Sequence, residues 1–128
     1  MDILRIFELP DLTNLREESG RDGFNFLERL VNDFKNGSNR FSKPGEALFA
    51  AFQSQNCIGI GGVNQGPQRQ HRYARVRRVY ISHSHRGQGV GRQLMQILED
   101  WSRPHFDYLV LNTDTEVAAT TNHWITIQ

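Results

Sequence analysis

The stretch from Tyr73 to Trp101, "YARVRRVYISHSHRGQGVGRQLMQILEDW", leaves the chain few ways to fold. It opens with the two-residue alternation of a strand, which puts Val79 and Ile81 on one face and Tyr80 on the other. It then passes Gly87, Gly89 and Gly91, three glycines within five residues. From Val90 onward, Val90, Leu94, Ile97, Leu98 and Trp101 form one apolar stripe at helical spacing, and Pro104 follows its end. A strand that runs through so bare a turn into a helix N-terminus gathers free N–H groups at one point. The helix dipole favours negative charge there, and glycine lets a ligand approach the backbone. That combination suits a phosphate, and Arg86 and Arg92 flank it with guanidinium donors.

The flanking segments supply the rest of one domain. "ILRIFEL" reads as a strand ended by Pro10, and "LTNLREESG" as a short helix stopped at Gly20. Phe24, Leu27, Leu30, Val31 and Phe34 predict a second helix, stopped at Asn36-Gly37. "ALFAAFQ" and "CIGIGGV" pair as a hairpin around "SQN". Gly59, Gly61 and Gly62 weaken a plain strand unless something packs close against it. "YLVLN" is a further strand, and "TDTEVAATTNHWITIQ" opens like a helix capped at Thr113 or Asp114 before turning β-branched. The order is strand, helix, helix, hairpin, strand, helix, strand, helix. It predicts a mixed α/β domain of the α+β type over residues 1–128, with helices flanking a largely antiparallel sheet.

Charge narrows the partners. The formal net charge is only +1, yet no acid stands between Glu46 and Glu99, where seven arginines fall. Such a one-signed segment suggests a local anionic ligand. "RQHRYARVRR" interleaves arginines with Tyr73, but the low net charge and the lack of a nucleic-acid motif argue against a nucleic-acid partner. No apolar run reaches bilayer length, and "MDILRIFELP" lacks the build of a signal peptide, so a cytoplasmic protein without a membrane partner is expected. Cys57 is the single cysteine and sits in an apolar strand, where packing is its expected role. No histidine pair has metal-ligand spacing, so no metal is expected.

Two phosphate motifs fail on spacing. A nucleoside-triphosphate loop needs Gly-Lys-Ser/Thr, and a dinucleotide fingerprint needs Gly-x-Gly-x-x-Gly. Arg86-Gly87-Gln88-Gly89-Val90-Gly91 instead resembles the Arg/Gln-x-x-Gly-x-Gly/Ala signature of the GNAT superfamily of acetyl-CoA-dependent N-acetyltransferases. "RRVYISHSHRGQGVGRQLM" is similar to that family's central strand, its connection and its long helix. Roughly residues 3 to 113 follow the family's order. The resemblance implies acetyl-CoA as cosubstrate, its pyrophosphate held by amides from Gln88 to Arg92, with Arg86, Gly87, Gly89, Val90 and Gly91 forming the turn. It implies that the backbone of Val79, Tyr80 and Ile81 pairs with the pantetheine arm, in a cleft where the central strand splays from its neighbour. The Ile81 amide would polarise the thioester carbonyl; Asn112 and Thr113 would line the cleft near the arm, and read equally well as a strand end and helix cap.

The reaction implied is direct attack of a primary amine on the thioester. Many relatives carry a glutamate on the central strand, but Arg75 to Ile81 contains no acid. Glu46, Asp114 and Glu116 are the nearest acids, each equally readable as a cap or surface charge. His83 and His85 suit a phosphate contact or plain exposure. The family commonly protonates the leaving thiolate from a tyrosine on the helix after the fifth strand. If "VAATTNHWITIQ" is that helix, Trp124 stands there with no useful acidity, and His123 adjoins it. Glu46, Asp114 and His123 are therefore the catalytic candidates. The family's last strands, which wall the acceptor pocket, have no counterpart before Gln128, so a homodimer completing the sheet is expected. The acceptor is an amine-bearing small molecule, peptide or protein. The missing acid and tyrosine support a second reading, an acyl-CoA-binding GNAT-like module that senses or binds a partner with little or no turnover.

Overall fold

A computed structural model of the chain describes residues 1–66, 72–112 and 122–126, with the backbone alone for 111–112 and 122–126. Its elements are β1 (Asp2–Ile6), α1 (Thr13–Arg21), α2 (Phe26–Asn36), β2 (Ala47–Gln53), β3 (Asn56–Gln65), β4 (Tyr73–Ile81), α3 (Val90–Ser102), β5 (Tyr108–Asn112) and β6 (Asn122–Thr126). The strands form one sheet in chain order. Every neighbouring pair is antiparallel except β4 and β5, which run parallel because α3 crosses between them. The mixed, largely antiparallel sheet expected from the sequence is thus present.

Local chemistry explains the helices. The Asp11 carboxylate accepts from the Thr13 amide at 2.9 Å and from its hydroxyl at 2.6 Å, starting α1. Gly37 ends α2 in the left-handed region, at φ 84°. Leu12, Leu15, Phe26, Leu27, Leu30 and Val31 bury one face of this helix pair against Leu48, Ile60 and Tyr80 of the sheet. On the opposite face, Leu94 and Leu98 of α3 pack against Ala47, Phe49, Val63 and Val76. Burying each such leucine contributes about 1.5–3 kcal/mol. The glycines of β3 admit this contact. A Cβ on Gly61 would stand 3.0 Å from Val79 Cγ2 and 3.2 Å from Leu94 Cδ2.

One sequence expectation is corrected. The segment read as a closing helix supplies a strand, with Leu109 opposite Ile125 and Val110 opposite Trp124. Threonine, tryptophan and isoleucine fit a pleated surface better than a helix, and β5 offers a free edge to pair with. His123 and Trp124 are therefore strand residues, while Thr113 to Thr121 lie outside the described residues.

The central strand carries an irregularity. Gly62 faces Arg77 and Ile60 faces Tyr80, so Gly61 alone stands opposite both Arg78 and Val79. Arg78 is the extra residue of this bulge, held at φ 62° and almost wholly buried. The insertion swaps the faces of the strand. Ala74 and Val76 pack toward α3 before it, whereas Val79 and Ile81 do so after it and Tyr80 turns to the α1–α2 side.

Candidate active site

The bulge also re-aims backbone groups. The parallel ladder between β4 and β5 ends at Val76 opposite Leu111, so Arg77 to Ile81 have no partner in β5 among the described residues. The Ser82 amide donates to the Ile58 carbonyl at 2.8 Å, which fixes Ser82 and Tyr80 as the residues bonded to β3. By the alternation of an antiparallel ladder, the amides of Val79 and Ile81 point to the other, open edge. The Ile81 carbonyl on that edge accepts from Arg86 Nε at 3.0 Å.

The strand then passes a single 3-10 turn, His83–His85, and the glycine loop. Gly87 (φ 77°) and Gly89 (φ 85°) both hold left-handed backbone, which explains the residue choice. The first intrahelical bond runs from the Gln93 amide to the Gly89 carbonyl at 3.0 Å, leaving the amides of Val90, Gly91 and Arg92 free of helical partners. Ile81, Arg86, Gly87, Gly89, Gly91 and Arg92 surround a cavity of about 300 Å³ at this point. Val90 is buried beneath it with Ala51 and Ile58. Gln88 donates from Nε2 to the Ser84 carbonyl at 3.2 Å. Residues 79–81 and 86–92, scattered in role by the sequence argument, thus surround one open strand edge and one helix end.

A carboxylate pair at the end of α1, Glu18 within it and Asp22 just after it, was missed by the sequence reading and braces this turn. Glu18 accepts from the His83 amide at 3.1 Å and from the Ser82 hydroxyl at 3.4 Å. Asp22 Oδ2 lies 2.6 Å from His83 Nε2 and accepts from the Tyr80 hydroxyl at 3.1 Å. The His83 hydrogen bond, with that of Tyr80, holds the Asp22 carboxyl below its ordinary range against a smaller opposing effect of burial. Burial foremost, then Asp22, pushes the Tyr80 hydroxyl up, so it acts as a fixed donor rather than an acid. The available signal was the four-residue spacing of two acids across the end of α1.

A second cavity, about 310 Å³, opens on the α2 side of β4 among Asp33, Lys43, Glu46, Asn64, Arg75 and Arg77. Glu46 is buried, and its carboxylate accepts from the amides of Lys43 (3.2 Å) and Gln65 (2.9 Å). Asp33 lies 3.9 Å from the Arg78 guanidinium. The buried Nε of Arg75 has no hydrogen-bond partner among the described residues. Of the other catalytic candidates, Asp114 and Glu116 fall outside the described residues, and His123 is fixed only as a β6 position. Asn112 ends β5 opposite Asn122. Cys57 donates to the Gly59 carbonyl at 3.3 Å, and burial pushes its thiol up to about 11. Among the described residues no group of His, Cys, Asp or Glu side chains could hold a metal ion.

The profile of the acetyltransferase (GNAT) family matches residues 9–123. The chain belongs to this family. A crystal structure from Exiguobacterium sp. 255-15, solved as a proposed acetyltransferase, superposes with a TM-score of 0.79 at 28% identity, covering 91% of this chain and 79% of its own. A GNAT-family acetyltransferase from Staphylococcus aureus Mu50 gives 0.65 at 17% identity, over 88% of this chain and 73% of its own. An aminoglycoside 6′-N-acetyltransferase complexed with coenzyme A gives 0.56 at 16% identity, over 87% and 61%. These last two bear on the fold alone. No curated protein matches the chain in sequence. Among the described residues, no helix of this GNAT chain is long and apolar enough to cross a membrane.

Proposed function

We propose that the protein is an N-acetyltransferase that moves an acetyl group from acetyl-CoA to a primary amine by direct attack. The observation that carries this is the open edge of β4, with the Val79 and Ile81 amides facing outward, running straight into the free amides at the start of α3. The coenzyme A complex of the aminoglycoside acetyltransferase, a protein of the same fold, supports the choice of ligand.

In this reading the pyrophosphate sits on the amides from Gln88 to Arg92, with the Arg86 and Arg92 guanidinium groups beside it. The pantetheine arm lies along Val79 to Ile81 as an added strand, with Asn112 across the cleft. Val79 and Ile81 give backbone amides while their side chains stay in the core, so packing and binding do not compete. Tyr80 bonds to β3 and serves to space them. The Ile81 N–H steadies the oxyanion as the amine adds to the thioester carbonyl. Collapse of that intermediate expels the coenzyme A thiolate. The proton lost by the amine passes to a carboxylate of the neighbouring cavity, Glu46 or Asp33, or to water.

Calorimetry with coenzyme A, followed by thiol release from acetyl-CoA over an amine panel, tests this directly. Lack of coenzyme A binding overturns it. One feature favours the non-catalytic alternative: Glu46, the buried candidate base, already accepts two backbone hydrogen bonds. Tight coenzyme A binding without transfer to any amine selects that acyl-CoA-binding module.

A further inference from the structure

We infer that the cavity between α2 and β4 takes the acceptor, and that the acceptor is a small amine bearing a carboxylate. The inference rests on the N-acetyltransferase reading and adds the substrate class. Basic side chains dominate the lining: Arg40, Lys43, Arg75 and Arg77, against Asp33 and Glu46. Both acids are already engaged, Glu46 by two backbone amides and Asp33 by the Arg78 guanidinium.

Arg75 is the side chain that asks for a ligand. Among the described residues its guanidinium makes no hydrogen bond; Nε is sealed from solvent and unsatisfied, which leaves the terminal nitrogens as the groups that can meet a ligand. A carboxylate answers it best, because a guanidinium fork gives a planar carboxylate two parallel N–H bonds. Lys43, exposed at the rim, adds a second positive charge. Arg40 is less available, since its guanidinium donates to the Phe34 and Lys35 carbonyls at the end of α2.

Position and size agree. Arg77 lines the cavity with its side chain, while its backbone stands where the open edge of β4 begins. Arg75 is two residues earlier, about 7 Å along the strand. The cavity, about 310 Å³, lies at the lower end of the range for small-molecule sites. A polycationic amine meets like charge here and is disfavoured.

The test compares α- and ω-amino acids with their carboxamides as acceptors, following thiol release from acetyl-CoA. The free acids should exceed their carboxamides at least tenfold in kcat/KM. Arg75→Gln should raise KM for the acids about tenfold and shrink that preference, with KM for acetyl-CoA unchanged. Lys43→Gln, at an exposed position, should act in the same direction and guards against a folding defect at Arg75. In parallel, calorimetry titrates N-acetyl amino acids and their carboxamides into the coenzyme A complex, a readout free of turnover. Equal handling of acid and carboxamide in both experiments overturns the inference, while transfer to any amine keeps the N-acetyltransferase reading. Acid-selective binding lost in Arg75→Gln, without transfer to any amine, supports the carboxylate pocket and removes the catalytic reading.

Discussion

His83 Nε2 lies 2.6 Å from Asp22 Oδ2, and this contact fastens α1 to the turn that leads into the glycine loop. Because the His83 bond holds the Asp22 carboxyl below its ordinary 3.8, the charged form is the one that the fold favours. Its contribution to stability is complete above that ordinary value and fades as pH falls through the lower folded value. Asp22→Asn should therefore melt at a lower temperature than the parent at about pH 5, and the gap should close in stronger acid. A gap that stays constant down to about pH 2 would remove the contact from the account.

The glycine loop permits a paired comparison. Gly89 sits at φ 85°, and a Cβ there meets nothing within 4 Å, so any cost of alanine is conformational. Gly89→Ala should lose about 1–2 kcal/mol in urea unfolding. Gly91 has ordinary helical backbone, and its Cβ would make a normal 3.6 Å contact with Ile81 Cγ1. Gly91→Ala should hold or slightly raise stability. Equal losses at both positions would refute the conformational argument.

Gly61 and Leu94 should be energetically coupled across the sheet. Leu94 is fully buried, and Leu94→Ala should cost about 2–5 kcal/mol. Gly61→Ala drives a methyl toward Leu94 Cδ2 and Val79 Cγ2 and should destabilise as well. In the double variant the added methyl enters space vacated by the leucine, so the summed losses should exceed the measured one. Simple additivity in denaturant titrations would mean that the two side chains do not share that space.

Cys57 should be a poor nucleophile. With its thiol pushed up to about 11 by burial, its thiolate fraction at about pH 8 falls roughly two orders of magnitude below that of a free cysteine. Labelling by iodoacetamide should be slower by a similar factor and should accelerate on adding urea. Rapid labelling of the folded protein contradicts the buried placement.

Much of this architecture could be read from residue spacing. The stripe from Val90 to Trp101 and the stop at Gly37 are local signals, set by one helix's own periodicity and backbone needs. The hairpin was legible for the same reason, with Ser54 and Gln55 both at positive φ in its turn. Asn122 to Thr126 were misread because a short polar and β-branched run has no period of its own, and only pairing with β5 decides it. The Arg78 bulge was invisible, since one extra residue leaves the alternation of burial along β4 intact while exchanging the partner on each face. Likewise, the basic charge between Arg69 and Arg92 was plain in the sequence, but spacing did not show that Arg75 and Arg77 line one cavity and Arg86 and Arg92 another.

The irregularity at Arg78 gives the central strand two independent phases. Upstream of it, side chains at 75 and 77 set the chemistry of one cavity. Downstream, main-chain groups at 79 and 81 line the other edge whatever residues stand there. The lining of that cavity can thus drift or be redesigned by substitution alone, while loss of a single residue at this point would turn the whole downstream half inside out.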